Sequence, residues 1–156
     1  ILVFKPFKMG DYISSGGNEG TVTDINILYT KLTTPDNKVV TIPNGALSNS
    51  AVVDVTANDT RRVDINLGVS YDSNIKDTLT LLKAIGDNCS VKLDNEETMV
   101  AVTGYSDSSI NVTLRIWTKT SDYWTALFEM NEAVKSNIDN KQLNIPYPQM
   151  DVHIKQ

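Results

Sequence analysis

Few residues in this sequence suit catalysis or metal binding. Its 156 residues include a single cysteine, Cys89, and a single histidine, His153. One cysteine closes no intrachain disulfide, which fits a reducing compartment. His153 has no second histidine and no nearby cysteine, so the ligand spacing of a zinc site is missing. A Ser-His-Asp triad would need that histidine held in a core, and a terminal tail offers no such support. Asp94, Glu96 and Glu97 cluster without the alternating oxygen ligands of a calcium loop. Cations are also scarce: 14 Lys and Arg stand against 19 Asp and Glu, for a net charge of -5. That balance opposes nonspecific nucleic-acid binding, which needs a basic footprint for phosphates. No apolar run approaches the ~20 residues of a membrane helix, and no signal-peptide pattern opens the chain. The reading is therefore of a non-enzyme, with no cofactor and no metal.

What is present is a chain of ordinary globular composition, 40% hydrophobic and 21% charged, long enough for one good core or two small ones. Val39 to Ile42 reads as a strand of β-branched residues, which Pro43 ends by removing a backbone donor. Asn44-Gly45 supplies residues that tolerate positive φ, and Ala46-Leu47 begins a short helical turn capped by Asn44. From Tyr12 to Thr56, short strands alternate with turn signals about every ten residues, the pattern of a small barrel or sandwich. Glu19 to Leu28 is long enough to bend. The glycines Gly16, Gly17 and Gly20 suit a hairpin turn; a phosphate loop would need a following Lys-Ser/Thr and a helix.

At Arg61-Arg62 the pattern changes. Val63, Ile65, Leu67 and Val69 alternate with polar residues, as do Ile110, Val112, Leu114 and Ile116. Asp72-Ser73 caps a helix from Asn74 to about Ile85, stopped by Gly86. Ser121-Asp122 caps a longer helix to about Asn140, with Trp124, Leu127, Phe128, Asn131, Val134 and Ile138 on its core face. Thr98 to Tyr105 is a further strand, and a last one is possible around Leu143. The order strand, helix, strand, strand, helix suggests a ferredoxin-like α+β layer. Asp64, Asn66, Asn111, Thr113 and Arg115 then form a polar sheet face toward water.

Four short motifs occur in order: Pro6-Phe7-Lys8-Met9-Gly10-Asp11, Gly16-Gly17-Asn18-Glu19-Gly20-Thr21-Val22, Ile42-Pro43-Asn44 and Pro146-Tyr147-Pro148-Gln149-Met150-Asp151. Together they resemble the small-conductance mechanosensitive ion channel family over essentially the whole chain. The resemblance implies a mixed β and α+β fold: a small Sm-like β-barrel over 11–58, a ferredoxin-like domain over 59–147 and a C-terminal strand over 148–156. Residues 1–10 become the remnant of a pore helix and its exit turn, with Ile1 to Phe4 a cut edge. Phe4, Lys5, Phe7 and Lys8 are then membrane-proximal, and the lysines face anionic headgroups. Pro43, Asn44 and Gly45 become subunit-interface or vestibule elements. Asp151, Val152, His153, Ile154 and Lys155 pair with neighbouring copies in a small barrel. The implied partners are identical subunits, seven by resemblance, with ions, small solutes and membrane lipid through upstream helices. The implied place is the cytoplasmic side of a bacterial-type inner membrane, the part in hand being soluble by itself. Family members often carry Asn-x-Ser after the Ile-Pro-Asn element; here Asp54-Val55-Thr56 stands there. The alternative is a soluble Sm-like RNA- or protein-binding module, which the acidic balance and the lack of an aromatic-basic groove oppose.

Overall fold

The computed structural model describes residues 6–156, and the described residues form two compact units that divide between Asp59 and Thr60. The first unit holds five antiparallel strands: β1 (Tyr12–Ser15), β2 (Asn18–Ile25), β3 (Tyr29–Thr33), β4 (Val39–Pro43) and β5 (Val53–Asp54), in the order β4-β3-β2-β1-β5. Gly16 and Gly17 take positive φ, 57° and 82°, and close the β1–β2 hairpin between Ser15 and Asn18. Gly20 is small for a different reason: a Cβ there would lie 2.7 Å from the Thr33 carbonyl oxygen on β3. A bulge between Val22 and Asp24 bends β2, and the strand ends at Ile25 rather than Leu28 because Asn26 turns the chain. Phe7, Ile13, Val22, Leu32, Ile42 and Leu47 make the core.

The helix α1 (Asn44–Ser48) follows β4 directly, and Pro43 rather than Asn44 stands at its cap position. Neither Asn44 nor Gly45 adopts positive φ. The expected sharp turn is instead the first turn of a helix, because Pro43 already holds a helix-entry φ of -58°.

The second unit is α+β. Strands β6 (Thr60–Val69), β7 (Met99–Tyr105) and β8 (Ile110–Lys119) form an antiparallel sheet in the order β6-β8-β7. Helix α2 (Ile75–Asp87) lies between β6 and β7 in sequence, and α3 (Tyr123–Asp139) follows β8 after a 3-10 turn. The Asn74 side chain caps α2 by accepting from the Asp77 amide. The core combines Val63, Ile65 and Val69 with Ile110, Val112, Leu114 and Ile116, under Leu82, Ile85, Ala126, Met130 and Val134.

Three expectations change here. Gly86 does not stop α2. It lies inside the helix at a close approach to the sheet, where a Cβ would meet Thr98 Cγ2 at 2.5 Å and Leu114 Cδ1 at 2.8 Å. Trp124 and Phe128 are not core residues; each is 59% exposed. The helix turns Ala126 and Met130 inward together with the expected Val134, so the buried stripe lies to one side of the aromatic pair. Around Leu143 there is no strand. The segment turns there with Lys141 at positive φ, buries Leu143, and receives the Ser70 amide on the Asn144 carbonyl at 2.9 Å.

Candidate functional site

The Ile-Pro-Asn element is a fastening. Pro43 closes β4 opposite Tyr29 and is exposed. The Asn44 side chain donates from Nδ2 to the Asn26 carbonyl at 2.7 Å and accepts from Thr30 Oγ1 at 2.9 Å. Its backbone amide donates to the Leu28 carbonyl at 2.8 Å. Asn26 Oδ1 in turn accepts from the Leu28 and Tyr29 amides. One asparagine thus locks the β2–β3 turn to the start of α1, and a fully buried hydroxyl, Thr30, depends on it. Ile27 and Leu28 at the tip of that turn are exposed. A Cβ at Gly45 would find no atom within 4 Å, so its space is open.

At the entrance to β1, Phe7 is buried in the β core while Lys8 and Met9 are exposed. Phe4 and Lys5 lie outside the described residues. The buried Asp11 accepts the Lys8 amide at 2.9 Å and lies beside Asp54. Asp54 also accepts from the Thr56 amide and hydroxyl, and Thr56 Oγ1 receives the Tyr12 amide. Burial, with Asp11 beside it, pushes the Asp54 carboxyl above its ordinary value. The departure at Asp54 therefore places two carboxyls together where an amide would donate freely.

On the helix-free face of the second sheet, Thr113 Oγ1 donates to Asn66 Oδ1 at 2.8 Å and is fully buried between strands. Arg62 grips Asp64 with Nε and Nη2 at 2.7 and 2.9 Å. Arg61 points to the opposite face and stacks over the Tyr123 ring, 3.5 Å from its centre. Between α2 and α3 lies a cavity of about 260 Å³ that includes Cys89, Glu129 and Met130. Burial raises the Cys89 thiol, which opposes thiolate chemistry there. Glu129 is engaged by the Ser90 amide and hydroxyl. Among the described residues no three metal-ligating side chains gather, and no helix is long and apolar enough to cross a membrane. Asp151, Val152, His153, Ile154 and Lys155 are exposed and form no ladder within one chain. The tail touches the rest at Gln149, whose amide donates to Ser108 Oγ.

Sequence reasoning singled out Asn44 but missed its partners. Asn26 and Thr30 are separated from it by 18 and 14 positions, and only the β3–β4 register brings them together. The pairing of Asp64 with Arg115 was legible in principle, because both sit on the polar side of alternating strands.

Comparison with known proteins places this succession of a β unit and an α+β unit. Residues 1–57 match the family model "Mechanosensitive ion channel, beta-domain", and residues 63–145 match "Mechanosensitive ion channel MscS, C-terminal". The chain belongs to the small-conductance mechanosensitive channel family. It is 33% identical over 159 residues to the small-conductance mechanosensitive channel of Edwardsiella ictaluri, covering 100% of this chain and 54% of that protein. It is 33% identical over 156 residues to an MscS family protein of Synechocystis, covering 100% of this chain and 53% of that protein. A crystal structure of Helicobacter pylori MscS in its closed state superposes with a TM-score of 0.90 at 30% identity, covering 99% of this chain and 62% of that one. The chain spans about half the length of the curated relatives it matches.

Proposed function

We propose that this chain is the cytosolic part of a mechanosensitive channel subunit. In this reading, membrane tension opens upstream helices, and the cytosolic part forms a vestibule that passes ions and small osmolytes. The observation that carries it is the match of both channel domains, in order, along one chain. Residues 11–58 are read as an Sm-like barrel, whose order β4-β3-β2-β1-β5 suits an open five-stranded barrel. Residues 59–147 are read as ferredoxin-like, with β6-β8-β7 giving three of the four strands of that fold. Residues 148–156, which form no ladder with the other described residues, are read as a strand that pairs with its copies in identical subunits, seven in a ring. Phe4, Lys5, Phe7 and Lys8 sit on the membrane side, with Phe7 anchoring the entrance in the β core and Lys8 free to meet headgroups. Pro43, Asn44 and Gly45 lie at a subunit or vestibule surface, and Asp151 to Lys155 at the terminal barrel. The assembly sits on the cytoplasmic side of an inner membrane and performs no catalysis.

The test is a chimera in which this chain replaces the matching region of the Edwardsiella ictaluri channel. In bacteria stripped of their own mechanosensitive channels, the chimera is expected to restore survival of osmotic downshock. Full-length chimera in the membrane with survival no better than an empty vector would overturn the reading.

A further inference from the structure

The second unit's sheet carries its helices on one face only. The other face holds Arg62, Asp64 and Asn66 from β6 and Thr113, Arg115 and Trp117 from β8, with Asp64 directly opposite Arg115 and Arg62 opposite Trp117. Two guanidiniums share one carboxylate there, on a chain whose net charge is -5. Arg62 takes both Asp64 oxygens in a fork, at 2.7 and 2.9 Å. Arg115 Nε is left 3.7 Å from Asp64 Oδ2, too far for a hydrogen bond. Among the described residues that Nε has no hydrogen-bond partner but is buried out of a ligand's reach, and Arg115 Nη1 has only the Met99 sulfur at 4.0 Å. A guanidinium keeps its charge at any working pH and carries five donors. Arg115 is therefore a cation whose Nη1–Nη2 edge is the part open to a ligand, its side chain being 30% exposed.

We propose that Arg115, flanked by Arg62 and Trp117, binds a small carboxylate anion. A planar carboxylate matches one edge of a guanidinium with two parallel hydrogen bonds. Asp64 supplies the selectivity. Its negative charge repels any incoming anion in proportion to that anion's charge, so a monovalent carboxylate is tolerated better than a divalent phosphate. The Asn66 amide is oriented by Thr113, which donates to its Oδ1, so Nδ2 remains as a donor at the edge of the same face. The site stands or falls independently of the channel reading.

Trp117, 36% exposed, is a built-in reporter once the other tryptophan is removed by Trp124→Phe. The 156-residue chain is titrated with sodium acetate, sodium glutamate and sodium phosphate against chloride at constant ionic strength. Acetate and glutamate are expected to give a saturable Trp117 signal, with phosphate at least ten-fold weaker. Arg115→Gln abolishes the signal, Arg115→Lys weakens it at least five-fold because the fork is lost while the charge remains, and Asp64→Asn tightens it several-fold. Circular dichroism checks the fold, and Arg115→Lys carries the test if Arg115→Gln fails to fold. A signal that chloride reproduces, that Arg115→Lys leaves intact, or that Asp64→Asn weakens overturns the proposal. Equal binding of phosphate overturns the carboxylate assignment.

Discussion

Replacing Asn44 with alanine should cost far more than its position in a short exposed motif suggests. The substitution removes the 2.7 Å bond to the Asn26 carbonyl, worth about 0.5–1.5 kcal/mol. It also strips the acceptor from Thr30 Oγ1, on a side chain with 0% exposure. A buried hydroxyl left without a partner costs about 1–3 kcal/mol. The sum is about 1.5–4.5 kcal/mol, against about 0.5 kcal/mol or less for an ordinary surface turn residue. Both tryptophans lie in the second unit, so fluorescence would miss the effect. Hydrogen exchange of the Thr30 and Leu32 amides, read against urea, follows the β unit itself. Thr30→Val separates the two contributions. In that background no hydroxyl is stranded, so Asn44→Ala should cost at least about 1 kcal/mol less. A cost below about 0.5 kcal/mol for Asn44→Ala, or strict additivity in the double variant, would refute the fastening role of the Ile-Pro-Asn element.

Further expectations follow from single contacts. Gly86→Ala should destabilise the second unit by about 1–3 kcal/mol in urea unfolding followed by tryptophan fluorescence, since the added methyl meets buried Leu114 and Thr98. Trp124→Ala and Phe128→Ala should each change that stability by less than about 1 kcal/mol, because both rings are mostly exposed. Asp54→Asn should alter how the β unit responds to pH. The folded Asp54 carboxyl titrates above its ordinary value of 3.8, so the stability it gives is present below that value and lost as pH rises through the raised one. Relative to the variant, the natural chain should lose stability across that interval, and parallel pH profiles would contradict this.

Much of the fold was legible because period-2 alternation survives wherever one sheet face is buried. Strands β6 and β8 follow their apolar sets, Val63, Ile65 and Val69, and Ile110, Val112, Leu114 and Ile116, with Leu67 only partly buried. Helix faces were less legible. Trp124 and Phe128 fall at helical spacing, yet the smaller Ala126 and Met130, each two positions on, are what α3 buries. Hydrophobic spacing does not say which of two neighbouring stripes meets the sheet. Glycine was misread at Gly86 because a helix stop and a close helix–sheet approach both call for a missing side chain, and the contacts with Thr98 and Leu114 separate them. The candidate site was legible at Asn44, through its motif, and not at its partners Asn26 and Thr30. Their meeting is set by strand register, a long-range property no local window contains.

The most direct measurement is a patch-clamp recording of the chimeric channel under a ramp of suction. Family membership and the order of the two domains lead to the expectation of stepwise currents that are absent at rest and appear above a reproducible pressure. A chimera that reaches the membrane as a cross-linkable ring, yet stays silent until the patch ruptures, would contradict the assignment of this chain to a tension-gated channel.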